Sequence, residues 1–222
     1  MSFLQIKSDQ CVELDVRDDG TRRVHVFDDD SILAANMAWA AERPLLVRGE
    51  PGVGKSQLAE AVARHTNRKF ISFVVDSKTE ARDLLWRFDA VKRLADAQLI
   101  GAMGRELSAG KPESEDQQMQ TIRQCVNVDL AEGQYIKPGP LWWAFDWQSA
   151  QSQDEISHAN SPYPGYIGDP ANGCVVLIDE IDKAESDVPN GLLAALGAQE
   201  FQPFGLDTPV RQGENRPLVI IT

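Results

Sequence analysis

Cysteine is scarce in this chain, with three in 222 residues. Cys11, Cys125 and Cys174 are odd in number and far apart, which argues against a disulfide framework or a cysteine-built metal site and fits reduced thiols. Long apolar runs are missing too: nothing approaches the ~20 residues of a membrane span, so no membrane association is expected. The N-terminus, Met1-Ser2-Phe3-Leu4-Gln5-Ile6-Lys7, has no basic region followed by a long apolar one. No signal peptide is therefore expected, and the cytoplasm is the expected location. Positive charge is in deficit, with 22 Lys and Arg against 34 Asp and Glu, a formal net charge of −12. No cluster of Lys and Arg offsets it, so nucleic acid is not an expected partner. No internal repeat is evident.

What the chain does have is a glycine loop. Arg48-Gly49-Glu50-Pro51-Gly52-Val53-Gly54-Lys55-Ser56 is a complete G-x-x-x-x-G-K-S phosphate-binding pattern. The apolar run Pro44-Leu45-Leu46-Val47 precedes it, and Leu58, Ala61 and Val62 follow at helical spacing. Strand, glycine loop and helix form the context the pattern requires. Gly49, Gly52 and Gly54 permit backbone angles and close approach that a Cβ would block. The loop N–H groups and the helix N-terminus are then expected to face an anion. Lys55 is expected to reach the β- and γ-phosphates, and the Ser56 hydroxyl to bind Mg²⁺. Glu50, Pro51, Val53 and Gln57 are assigned to the same nucleotide site.

A second chemical element lies far along the chain. Cys174-Val175-Val176-Leu177-Ile178 reads as a buried strand and ends in Asp179-Glu180. In open α/β sheets the crevice beyond the carboxyl ends of the strands binds ligands. Asp179 is expected to hold Mg²⁺, and Glu180 to act as the general base on the attacking water. A strand-end acid in a solvated turn is the ordinary alternative, but pairing with the glycine loop favours the nucleotide reading.

The remaining segments frame these two. Residues 1–27 read as an N-terminal extension with a hairpin, Val12–Val16 and Arg23–Phe27 about an Asp18-Asp19-Gly20 turn. A helix is expected after Asp28, with Ile32, Leu33, Met37 and Ala40 on its buried face. Lys69–Val75 is a second strand. Another helix is expected to open at Thr79 and to carry a stripe of Leu84, Leu85, Phe88, Val91 and Leu94 to about Ala97. Gly104 to Gln120 is expected to be an insertion with a mobile part. The tryptophans of the 135–145 stretch, and Trp39, read as packing, and His25 as structural. Gln148 to Gly173 reads as a long loop. A helix from Asp187 with an apolar face of Leu192, Leu193 and Leu196 follows, then a hairpin about Gly205 and a last strand at Pro217–Thr222.

Together these elements resemble AAA+ ATPases, and within them the MoxR-like group. The resemblance is carried by Gly49–Ser56, by Pro138-Gly139-Pro140-Leu141-Trp142, and by Val176–Ala184 with its Ile178-Asp179-Glu180-Ile181-Asp182-Lys183 core. Ala81–Ala90 is similar to a subgroup of the same ATPases. The resemblance covers roughly residues 28–222. It implies an α/β P-loop NTPase sandwich with a mainly parallel sheet in spatial order 5-1-4-3-2. It also implies an insert after strand 2, at residues 98–134, and a hairpin before strand 4, at residues 200–214. ATP and Mg²⁺ are the implied cofactors, and ATP hydrolysis the implied activity. The implied partners are copies of itself in a ring, expected to be a hexamer, and a protein substrate, with a von Willebrand A-domain protein as one candidate. The chain departs from the pattern at its end. Thr222 falls near the sensor-1 position where the usual Asn is missing. Strand 5, an arginine finger and the helical lid with its sensor-2 Arg have no counterpart, so a truncated, weakly active core is expected. Rival readings are a nucleic-acid motor or loader and a nucleotide-binding switch. A GTPase is a weaker one, because no N-K-x-D motif is present.

Overall fold

The computed structural model describes residues 5–7, 9–16, 22–50, 52–108, 130–165 and 168–222. At its centre is a four-stranded parallel sheet of β3 (Leu45–Leu46), β4 (Arg68–Val74), β7 (Asp169–Asp179) and β10 (Leu218–Ile221). Their spatial order is β3-β10-β7-β4. In the family's strand numbering this is 1-4-3-2, as the resemblance implies.

Strands β4, β7 and β10 alternate between two apolar layers, as pleated strands do. Val176, Ile178, Val219, Ile221 and Ile71 face one layer, which contains Trp142, Trp143 and Leu192. Val175, Leu177, Leu218 and Ile220 face the other, with Ala35, Leu58, Ala61 and Val62. Covered on both sides, residues 174–178 of β7 are at most 2% exposed. Helices α1 (Asp29–Ala41) and α2 (Lys55–His65) lie on the second layer. Helices α4 (Pro140–Phe145) and α6 (Asp187–Ala198) lie on the first, with α5 (Trp147–Ser157) beside them.

The N-terminal strands β1 (Cys11–Val16) and β2 (Arg22–Val26) form an antiparallel hairpin. Its turn at 18–20 lies outside the described residues. The hairpin packs onto α2: Leu14 and Phe27 share a cluster with Leu58 and Val62. Helix α1 corrects the expected face. Leu33 and Met37 are 59% and 61% exposed, and the buried positions are Ala35 and Ala38. The α1 sequence is apolar nearly all round, so its periodicity carried no direction.

Two further segments differ from expectation. No continuous helix runs from Thr79. Residues Ala81–Leu84 form a 3₁₀ turn closed by a Glu80–Asp83 capping box. Trp86–Phe88 is a strand (β5) antiparallel to Ile136–Pro138 (β6), and helix α3 spans Ala90–Ser108. Aromatic residues favour the half-buried pleated surface, and Trp86 and Phe88 follow that preference. Gly104 to Ser108 are therefore helical, whereas 109–129, including Lys111–Asp116 and Cys125, lie outside the described residues. The β5–β6 pair thus brackets the expected insert. The second difference is the supposed loop at 148–173, which contains α5 and the first residues of β7. Asp146 caps α5 by accepting from the Ser149 N–H at 3.0 Å. The buried positions of α5 are Ala150, Gln153 and Ser157, a face too small and polar to show as a hydrophobic stripe.

The tryptophans are packing residues, with Trp142 and Trp143 at 2% and 0% exposure. Trp39 is half-buried, with the Arg68 and Arg216 guanidiniums 4.0 and 4.7 Å from its ring centroid. Burial pushes the Cys174 thiol up to about 12, and burial lowers His25 below its ordinary value. Strands β8 (Glu200–Phe201) and β9 (Val210–Arg211) make the expected second hairpin, with Arg211 paired to Glu200 at 2.9 Å.

Candidate active site

The C-terminal ends of β3, β7 and β10 converge on one cleft. Beyond β3, Val47 still donates its N–H to the Ile221 carbonyl at 2.8 Å, which holds the start of the glycine loop against the sheet. The loop then turns through Gly52 (φ 85°) and Gly54 (φ 88°), left-handed conformations that glycine adopts without a Cβ clash. Gly54 is the N-cap of α2, and its carbonyl accepts from the Leu58 N–H at 3.1 Å. The loop therefore delivers the α2 N-terminus to the cleft. Pro51 lies outside the described residues.

Lys55 folds back over the loop. Its ammonium donates to the Gly49 carbonyl at 2.8 Å and the Glu50 carbonyl at 3.0 Å. The next residue, Ser56, points across to β7, where its hydroxyl donates to Asp179 Oδ2 at 2.8 Å. The other carboxylate oxygen, Oδ1, accepts from the Thr222 hydroxyl. One carboxylate is thus held between hydroxyls from the start of α2 and the end of β10. The backbone around it is equally fixed: Val75 N–H donates to the Asp179 carbonyl at 2.9 Å, and Thr222 N–H to the Ile178 carbonyl at 3.0 Å.

Glu180 follows in the left-handed region (φ 62°, ψ 40°), uncommon for a residue with a Cβ. Its carboxylate accepts from the Lys183 ammonium. Gly49, Gly52, Lys55, Ser56, Asp179 and Glu180 all line the cleft. Glu50, Val53, Gly54 and Gln57 shape the loop and the first turn of α2 without lining it. Arg48 and Lys183 also line the cleft and bring positive charge that the motifs alone do not assign to it. Thr222 falls near the site in the sequence, and its pairing with Asp179 is visible only in three dimensions.

The donor set can be tested against Mg²⁺. That ion takes hard oxygen ligands, usually few from protein and the rest from water and phosphate. Ser56 Oγ and the Asp179 carboxylate are such oxygens, already in contact, so the residues present fit the ion.

A family profile described as AAA domain (dynein-related subfamily) matches residues 44–221, from the residue before β3 to the end of β10. The chain belongs to that family. No curated protein matches the chain. AAA domains are nucleotide-binding P-loop ATPase modules, typically with Mg²⁺, and they commonly assemble as rings. The matched span contains the glycine loop, Asp179, Glu180 and the four-stranded sheet. Among the described residues no helix is long and apolar enough to cross a membrane.

Proposed function

We propose that this cleft binds ATP·Mg²⁺ and hydrolyses it, and that the energy remodels a partner protein in the manner of MoxR-like ATPases. The observation that carries the reading is the contact of Ser56 with Asp179, which joins the glycine loop to the acidic strand end. Lys55 exchanges its loop carbonyls for the β- and γ-phosphate oxygens when nucleotide enters. The loop N–H groups and the α2 N-terminus stabilise the same negative charge. Ser56 and Asp179 would hold Mg²⁺, which when bound would neutralise charge developing on the phosphates. Thr222 keeps the Asp179 carboxylate oriented toward that position.

Glu180 accepts a proton from water as the water oxygen bonds to the γ-phosphorus. The bond from that phosphorus to the β–γ bridging oxygen breaks, and ADP leaves with the bond's electron pair. Glu50 and Val53 belong to the loop around the phosphates and Gln57 to the first turn of α2, and Pro51 is assigned to the same nucleotide site.

The chaperone-like role rests on Pro138–Trp142. This stretch joins β6 to α4, and a Cβ on Gly139 would lie 2.7 Å from the Asp83 carbonyl oxygen, so the motif's glycine is required by packing. A homo-oligomeric ring, a hexamer, and a von Willebrand A-domain partner belong to the same proposal.

The test is nucleotide binding with and without the metal. Asp179→Ala should lose the Mg²⁺-dependent part of ATP affinity and keep the affinity measured in EDTA. Equal affinity of Asp179→Ala and the parent protein for ATP·Mg²⁺ would remove Asp179 from the site.

A further inference from the structure

Glu180 opens a 3₁₀ turn, Ile181–Lys183, in which residues three apart lie one above the other. The Lys183 N–H donates to the Glu180 carbonyl at 3.0 Å, and the Lys183 ammonium donates to Glu180 Oε2. Both side chains line the nucleotide cleft, and they are 45% (Glu180) and 54% (Lys183) exposed. An ion pair this open contributes little to folding, so stability does not account for it. The hydrogen bond to Glu180, aided by the nearby acids, raises Lys183 above its ordinary range, which keeps it charged.

The pair acts on a carboxylate whose backbone is already fixed. Glu180 is held in its left-handed conformation between two strand-end bonds, Val75 N–H to the Asp179 carbonyl and Ile181 N–H to the Thr222 carbonyl, each at 2.9 Å. Backbone geometry sets where the side chain leaves the chain, and Lys183 fixes one of its oxygens. The other, Oε1, has no hydrogen-bond partner among the described residues.

We propose that Lys183 is a positioning residue for hydrolysis: by anchoring Oε2 it presents Oε1 of Glu180 to the attacking water. The inference rests on Glu180 acting as the base. Lys183 makes no bond to nucleotide and does not move the proton itself.

The experiment is steady-state ATP hydrolysis by the intact protein carrying Lys183→Met, Lys183→Gln or Lys183→Arg, each also combined with Glu180→Gln. The two uncharged variants should lower kcat by about fivefold or more, up to the ~10²-fold that a 1 Å misplacement of a reacting group can cost, with KM for ATP within about twofold of the parent. Lys183→Arg should restore most of kcat. In the Glu180→Gln background Lys183→Met should cost nothing further, because its effect passes through the carboxylate. A kcat for Lys183→Met equal to the parent's, or above it, overturns the inference. So does a raised KM with unchanged kcat, which would place Lys183 on the nucleotide, or an undiminished loss in the Glu180→Gln background. Wild-type hydrolysis by Glu180→Gln alone removes the base assignment, and with it this inference. That result is read from a different variant and is distinguishable from the others.

Discussion

Ser56 and Asp179 stand 123 positions apart in the chain and meet at 2.8 Å. Ser56 belongs to the first turn of α2 and Asp179 to the last residue of β7. Their contact exists because β10 lies between β3 and β7, so the glycine loop leaving β3 must cross the end of β10 to reach β7. Thr222, at the end of β10, completes the arrangement by donating to the other oxygen of Asp179.

The Ser56–Asp179 contact should govern the metal. With Ser56→Ala, the ATP affinity gained by adding Mg²⁺ should fall at least tenfold, about 1.4 kcal/mol. Affinity in EDTA should change little, because the loop N–H groups and Lys55 remain. Titration calorimetry in both buffers reads the two values separately. An Mg²⁺ increment equal to the parent's would place the ion elsewhere.

Lys55 should govern the phosphates themselves. Its two bonds to Gly49 and Glu50 show that the ammonium already lies over the loop. Lys55→Ala should weaken ATP binding at least tenfold, about 1.4 kcal/mol, with or without metal. Unchanged affinity by calorimetry would contradict the assignment of the loop to phosphate.

Gly139 should matter for stability rather than binding. An added Cβ would meet the Asp83 carbonyl oxygen and the Leu85 carbonyl carbon at 2.7 Å each, and the Leu84 carbonyl carbon at 2.8 Å. These are backbone atoms and cannot swing away. Gly139→Ala should therefore cost roughly 1–3 kcal/mol as an overpacked site, read as a drop in Tm. A Tm equal to the parent's would mean that the β5–β6 pair shifts freely.

The parts legible in sequence are those written as contiguous strings. The glycine loop carries its own turn residues, and the acidic strand end follows a run of five apolar residues, so chemistry and local structure coincide. The sheet order followed from the resemblance that these strings support. The parts that were not legible depend on contacts. In α5 the inward face is Ala150, Gln153 and Ser157, and Gln153 earns its burial by donating to the Gly133 and Ile136 carbonyls at 2.6 and 2.7 Å.

Helix α3 inverts the usual rule. Val91 and Leu94 are 81% and 61% exposed, whereas Lys92 bonds to the Ser157 carbonyl at 3.0 Å, and Asp96 accepts from the Tyr135 hydroxyl at 3.1 Å. A pattern that assigns apolar residues to the core cannot read such a helix. The Glu180–Lys183 pair was hidden for a simpler reason: its i,i+3 spacing brings the side chains together only where the chain turns helically, and no helical turn is expected from the sequence after Asp179-Glu180.

The most direct test of the account is hydrolysis and binding measured together for Glu180→Gln in the intact protein. The substitution keeps the size of the side chain and removes the base. The account predicts ATP·Mg²⁺ affinity within about twofold of the parent, with hydrolysis lower by ~10²–10⁴, the usual contribution of a general base. Wild-type turnover by Glu180→Gln would contradict it, and would show that another residue takes the proton from the attacking water.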